Sequence, residues 1–199
     1  MGKLIALIGN TGVGKTSLAQ ALAKTGGFKL GLEQHNERPF QTLFKSDSRY
    51  ALANQVDYFL LRAEQERVLR QEMLPGLLDG GLDQDFHGYT QLFHTRALLG
   101  DPEYGICCRL YQFIRSQLPL PDLIIHLTAS ETVIQQRLAG RKRINIASAD
   151  DLNLLNSTLS DWSATLPNQQ VLHMDITTAA IDYQELMPSL LNQIQSRLV

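Results

Sequence analysis

The sequence predicts an α/β fold in which a five-stranded parallel sheet lies between two layers of helices. Five short apolar segments alternate with stretches of helical periodicity, the pattern typical of strand–helix–strand units. A glycine-rich turn joins the first strand to the first helix. No repeat or linker interrupts the 199 residues, so we expect a single domain over 1–199.

The elements can be placed along the chain from apolar periodicity and from breakers. The predicted strands cover 3–8, 28–32, 80–85, 123–127 and 170–175. The predicted helices start near residue 15 and then cover 39–44, 49–74, 89–99, 102–118, 131–138, 149–166 and 183–198. Ligands of such sheets bind beyond the carboxyl ends of the strands. Gly9, Glu33 and Asp85 should therefore share one edge.

Composition excludes several classes of partner. The formal net charge is −2, which does not favour a nucleic acid polymer or a membrane surface. No apolar run has the length of a membrane span, and the expected location is the cytoplasm. Cys107 and Cys108 are adjacent on a predicted helix, where a disulfide between them is sterically unfavourable, so we expect reduced thiols.

Residues 9–16 match the phosphate-binding pattern G-x-x-x-x-G-K-[ST] at every fixed position, after a strand and before a helix. Its glycines let backbone N–H groups point at phosphate oxygens, next to the positive end of the helix. Lys15 can reach the β- and γ-phosphates, and the Thr16 hydroxyl can bind Mg²⁺. The predicted binding set for a nucleoside triphosphate is Gly9, Asn10, Thr11, Gly12, Val13, Gly14, Lys15, Thr16 and Ser17.

Two carboxylates are predicted at strand exits. Glu33 could accept a proton from a substrate hydroxyl that attacks the γ-phosphate, or it could be a solvated loop acid. Asp85 could bind Mg²⁺ or one of its waters together with Thr16, or it could cap the next turn. Asp83 precedes it by two residues and could exchange roles with it.

Further candidates lie on one helix face and just after the third strand. Helical spacing places Gln55, Phe59 and Arg62 on one face, where they could recognise the edge of a nucleobase and stack on its ring. The alternative places Phe59 in the core and Arg62 at the surface. His87 could line the substrate pocket.

Arginines cluster after the fourth strand. Arg137, Arg141 and Arg143 could converge on a transferring phosphoryl group as a lid over about 137–147. The alternative is a solvated charged face.

Several segments together resemble the deoxynucleoside kinase family, which includes bacterial deoxyguanosine and deoxyadenosine kinases. They are Leu32-Glu33 followed by Arg38-Pro39-Phe40, the helix from Arg49 through Gln55 to Leu61, the stretch Leu118 to Leu127, and Arg137-Leu138-Ala139-Gly140-Arg141-Lys142-Arg143. The resemblance implies a P-loop kinase fold and ATP-dependent phosphorylation of a deoxyribonucleoside 5′-hydroxyl. It also implies that Glu33 is the general base, that Gln55 recognises the base, and that the chain forms a homodimer.

The chain departs from the family pattern at two points. The family often carries Glu-Arg-Ser or Asp-Arg-Ser after the third strand, where Asp85-Phe86-His87 is the predicted counterpart here. The lid also lacks the acid expected shortly after Arg143. Two other functions remain open from the residues: a nucleoside monophosphate kinase and a non-catalytic nucleotide-binding module.

Overall fold

A computed structural model describes residues 1–31, 38–139, 149–180 and 182–198. Within that part of the chain, five parallel strands form one sheet in the order β2-β3-β1-β4-β5. The strands are β1 Leu4–Gly9, β2 Lys29–Gly31, β3 Gly76–Asp79, β4 Leu123–Thr128 and β5 Val171–Asp175. The predicted five-stranded parallel sheet is confirmed.

The helices cover both faces of the sheet. They are α1 Lys15–Ala23, α2 Pro39–Ser46, α3 Ala51–Leu69, α4 Leu82–Gln84, α5 Gln91–Thr95, α6 Asp101–Gln117, α7 Glu131–Ala139, α8 Ala149–Ala164 and α9 Met187–Arg197. One apolar cluster packs α1 and α9 on one face, and a second packs α3 and α8 on the other. A third cluster joins α3, α5, α6 and α8 away from the sheet. The predicted three-layer arrangement is confirmed.

The sheet brings the ends of its central strands to one edge. Every residue of β1 is buried, as expected for a central parallel strand covered on both faces. Leu7 pairs with Asp79 of β3 and with Ile125 of β4. The chain leaves β1 at Gly9 and β3 at Asp79, so the glycine-rich turn and Asp79 lie side by side.

The third strand was predicted in the wrong place. β3 is Gly76–Asp79, immediately after Pro75, and not 80–85. Gly80 and Gly81 have φ of 83° and 135°, which form the turn out of the sheet, and α4 begins at Leu82. The two glycines at the start of the predicted strand therefore belong to the turn that leaves β3.

Other boundaries differ by up to two turns. α3 ends at Leu69 instead of residue 74, because the chain must turn before Pro75 to enter β3. The helix predicted from 89 begins at Leu82 and passes through a π-helix, Asp85–Thr90, before α5. α9 begins at Met187 rather than 183. Cys107 and Cys108 are free thiols, as predicted.

Candidate active site

The phosphate-binding turn is shaped by glycines that no other residue could replace. Gly9 and Gly14 have φ of 142° and 118°. A Cβ on Gly9 would lie 2.3 Å from the backbone oxygen of Leu127, and one on Gly14 would lie 2.3 Å from the Tyr183 hydroxyl oxygen. Both the backbone conformation and the close packing therefore require glycine. α1 then begins at Lys15, so its free N-terminal N–H groups point back towards the turn.

The two functional side chains of the turn make short polar contacts. Lys15 Nζ donates to the backbone oxygens of Gly9 at 2.8 Å and Asn10 at 2.9 Å. The Thr16 hydroxyl donates to Asp79 Oδ2 at 2.5 Å. Asp79 is 2% exposed. A hydroxyl and a carboxylate oxygen thus meet at the end of β3, beside the first turn of α1.

Asp79 is a candidate site residue that the sequence analysis missed. The predicted strand begins at Gly80, so Asp79 lies before that strand and not at its exit. The signal that could have identified it is the apolar pair Leu77-Leu78 that follows the breakers Pro75 and Gly76.

Flanking helices hold the turn from two sides. Asn10 is 3% exposed, and its Nδ2 donates to the backbone oxygen of Leu152 in α8 at 2.8 Å. Arg137, from α7, donates through Nη1 to the backbone oxygen of Val13. The predicted arginine cluster therefore begins against the phosphate-binding turn. Arg141, Arg143 and Glu33 lie outside the described residues.

One pocket connects the turn with the helices above it. Its residues from the turn are Thr11, Gly12, Gly14, Lys15 and Thr16. The others are Gln41, Asn54, Gln55, Tyr58, Arg62, Asp79, Gln84, Asp85, Tyr89 and Phe93. Amides, charged groups and aromatic rings thus share one cavity with the phosphate-binding turn, as ligand sites for polar, flat molecules require.

A buried ion pair crosses this pocket. Arg62 Nε lies 2.8 Å from Asp85 Oδ2, and the two side chains are 2% and 6% exposed. Arg62 Nη1 also donates to the backbone oxygen of Asp79 at 3.4 Å. Gln55, two helical turns earlier in α3, is 2% exposed and lines the same cavity. The predicted grouping of Gln55 with Arg62 is present, and Arg62 is buried and not at the surface.

Asp85 requires a correction as a predicted metal ligand. It follows no strand, and its carboxylate accepts from Arg62 Nε, whereas the Thr16 hydroxyl donates to Asp79. Asp79 has the position that the sequence analysis gave to Asp85. Among the residues that the structure describes, no group of three or more His, Cys, Asp or Glu side chains could hold a metal ion.

Phe59 and His87 also require correction, since neither lines the pocket. Phe59 is fully buried in the helical core, 6.2 Å from the ring of Phe86. The His87 ring stacks on Trp162 at 4.5 Å, and its Nε2 lies 3.1 Å from the Tyr111 hydroxyl oxygen. Burial lowers the pKa of His87 to about 4, so its imidazole is neutral at pH 7. Both side chains belong to the packing behind the site.

Asp83 faces away from Asp85, towards α6. It accepts from Arg115 Nε at 2.9 Å and Nη2 at 2.8 Å, and Arg115 also donates to both carboxylate oxygens of Glu66 at 2.8 Å. Burial raises the pKa of the Glu66 carboxyl. This network joins α3, α4 and α6, so it fixes the elements that carry the pocket residues and takes no part in the pocket itself.

In the described part of the chain, no helix is both long enough and apolar enough to span a membrane.

Comparison with known proteins identifies the family. The deoxynucleoside kinase family model matches residues 5–199. A deoxyadenosine kinase of Dictyostelium discoideum is 29% identical over 143 residues, which are 71% of this chain and 58% of that protein. A deoxyguanosine kinase of Bacillus subtilis is 23% identical over 180 residues, which are 89% of this chain and 85% of that protein.

Solved structures give the same result for the fold. The structure of deoxyadenosine kinase from M. mycoides with bound dATP superposes with a TM-score of 0.80 at 18% identity, covering 95% of this chain and 99% of that one. The matched segment spans little more than half of the Dictyostelium deoxyadenosine kinase. Because the family model covers nearly all of the sequence, this chain belongs to the deoxynucleoside kinase family.

Proposed function

We propose that this protein transfers the γ-phosphate of ATP to the 5′-hydroxyl of a deoxyribonucleoside. The observation that carries the proposal is the single pocket that runs from the phosphate-binding turn to Gln55 and the Arg62–Asp85 pair. Such a cavity can hold a triphosphate tail and a nucleoside next to each other, which is the geometry that phosphoryl transfer between them requires.

The donor phosphates bind at the turn. Lys15 moves from the carbonyl oxygens of Gly9 and Asn10 to the β- and γ-phosphates, a shift that a flexible lysine side chain allows. Thr16 and Asp79 present oxygen atoms next to one another, and oxygen is the ligand that Mg²⁺ prefers. Bound there with the phosphates, Mg²⁺ would neutralise charge on the triphosphate. We therefore assign the protein side of the metal site to Thr16 and Asp79.

The acceptor nucleoside binds at the other residues of the pocket. The Gln55 amide can both donate to and accept from a base edge. Asp85, oriented by Arg62, offers carboxylate oxygens in the same cavity. Tyr58, Tyr89 and Phe93 supply flat rings against which a base can stack.

Proton transfer and charge neutralisation are assigned to the residues that the family resemblance implies. Glu33 takes the proton of the 5′-hydroxyl as it attacks. Arg137 contacts the phosphate-binding turn, and we assign it, with Arg141 and Arg143, to the charge that develops on the transferring phosphoryl group.

We propose that Gly80 stands where the family pattern has its arginine. Because β3 ends at Asp79, the segment to compare with Glu-Arg-Ser or Asp-Arg-Ser is Asp79-Gly80-Gly81 and not 85–87. Arg62 Nη2 lies 3.3 Å from the position that a Cβ on Gly80 would occupy. We propose that Arg62, reaching across from α3, supplies the positive charge beside the end of β3.

We further propose that the protein is cytoplasmic and, as the family resemblance implies, a homodimer. The packed helices α3 and α6 expose large apolar side chains, among them Leu60, Val68, Ile106 and Phe113. Burial of these residues against a second copy would remove apolar surface from water. Light scattering after gel filtration gives the mass, and Phe113→Glu should shift it to that of a monomer.

The activity is tested by ATP consumption with Mg²⁺ and each of the four deoxynucleosides. We expect turnover with at least one of them, and its collapse in Glu33→Gln but not in the control Glu185→Gln, an exposed position. Turnover of deoxynucleoside monophosphates alone would assign the protein as a monophosphate kinase. ATP binding without any turnover would assign it as a binding module.

A further inference from the structure

One buried amide in the pocket has an oxygen atom with no hydrogen-bond partner in the described part of the chain. Asn54 lies in α3 next to Gln55, is 2% exposed, and lines the cavity. Its Oδ1 accepts no hydrogen bond from any residue that the structure describes. Buried carbonyl groups almost always have a partner, because desolvating one without a hydrogen bond is unfavourable. We therefore expect this oxygen to accept a hydrogen bond from a bound ligand.

The position of Asn54 along α3 indicates which part of a ligand it meets. Arg62, eight residues further on, reaches the backbone of Asp79 at the phosphate end. Eight residues of helix correspond to about 12 Å, so Asn54 lies towards the opposite end of the cavity. A nucleoside with its 5′ carbon at the phosphate-binding turn extends its base in that direction. Phe93, which also lines this cavity, contacts Phe44 at 5.0 Å between ring centroids.

We propose that Asn54 is a specificity-determining residue whose side-chain oxygen accepts a hydrogen bond from an amino group of the nucleobase. This inference rests on the proposed function and adds a substrate class to it. Adenine, cytosine and guanine carry an exocyclic amino group, whereas thymine presents a carbonyl oxygen and a methyl group instead. The protein should therefore discriminate against thymidine, since a carbonyl oxygen opposite Oδ1 leaves both acceptors unpaired.

The test compares Asn54→Leu with the wild type, using kcat/KM for thymidine and for the three amino-bearing deoxynucleosides. Asn192→Leu, the same substitution at an exposed helical position, is the control. We expect kcat/KM for the best amino-bearing substrate to fall about tenfold in Asn54→Leu, with little change for thymidine. KM for ATP should not change. Asn54→Ala replaces Asn54→Leu if the larger side chain prevents folding.

A second readout separates recognition from a structural role. Because the substitution removes an unpartnered buried acceptor, the free protein should melt at the same temperature as the wild type or a few degrees higher, by about 2–4 °C. A lower melting temperature with equal losses for all four nucleosides would overturn the inference. So would a wild-type preference for thymidine.

Failure of the proposed function gives a different result. In that case the wild type turns over no deoxynucleoside, and calorimetric binding of the same four compounds replaces kcat/KM. A lost preference for amino-bearing nucleosides in Asn54→Leu would then still support the assignment of Asn54, and binding without that preference would refute it.

Discussion

Asp85→Asn removes one charge from the ion pair that crosses the pocket. The variant keeps the size of the side chain but leaves the Arg62 guanidinium, 2% exposed, without its carboxylate at 2.8 Å. Breaking a buried pair from one side costs about 3 kcal/mol or more, because the remaining charge stays desolvated. For a chain of this length, that loss lowers the melting temperature by about 6–12 °C.

The assay is thermal and urea unfolding of four proteins. They are the wild type, Asp85→Asn, Arg62→Met and the double variant. The double variant retains neither charge of this pair, so we expect it to regain a large part of the stability that Asp85→Asn loses. Glu72→Gln breaks the exposed pair with Lys29 and should change the free energy of unfolding by less than about 1 kcal/mol.

Nucleoside turnover separates the effect of these substitutions on stability from their effect on activity. The double variant should be inactive even though it regains stability, because both groups also line the binding pocket. If Asp85→Asn is as stable as the wild type, or if the double variant is less stable than the wild type by the sum of the two single-variant losses, the argument from buried charge is wrong.

Three further predictions concern the turn, the metal and pH. Gly9→Ala should abolish ATP binding and lower stability, because its Cβ would meet a backbone oxygen at 2.3 Å. The control Gly26→Ala, whose Cβ would have no atom within 4 Å, should retain binding. Equal affinities of the two variants for ATP in calorimetry would contradict this prediction. Asp79→Asn should raise the Mg²⁺ concentration needed for half-maximal turnover, and an unchanged Mg²⁺ titration would remove Asp79 from the metal site. Burial lowers the pKa values of His87 and His126 to about 4, so the unfolded chain binds more protons than the folded one between about pH 6.5 and 4. The free energy of unfolding should therefore fall as the pH falls through that window. Urea unfolding of a variant with glutamine at both positions should show a shallower fall, and an equal slope would refute the assignment.

Local signals predicted the phosphate-binding turn because its chemistry is contained in eight consecutive residues. Apolar runs such as the one in Leu123–Thr128 likewise predicted central strands, since burial on both faces leaves few polar positions. The error at β3 arose where breakers stand on both sides of a strand of only four residues, Gly76–Asp79. That displacement moved the predicted strand exit from Asp79 to Asp85.

Residue roles that depend on tertiary packing could not be predicted from spacing. Helical periodicity places Phe59 and Arg62 on one side of α3, but only the neighbouring helices decide that Phe59 enters the core and Arg62 enters the pocket. His87 follows Asp85 closely in sequence, yet the π-helix turns it towards Trp162 of α8. Asn54 Oδ1 accepts no hydrogen bond from the described residues, a property that depends on the whole fold and has no sequence signature.

The measurement that tests the central claim most directly is identification of the product by mass spectrometry. The protein is incubated with Mg²⁺, ATP and each deoxynucleoside, beside the matching analogue that lacks the 5′-hydroxyl. We expect a deoxynucleoside 5′-monophosphate and ADP in equal amounts, and no phosphorylated product from the analogue. Phosphorylation of the analogue, or release of inorganic phosphate with the nucleoside unchanged, would contradict it.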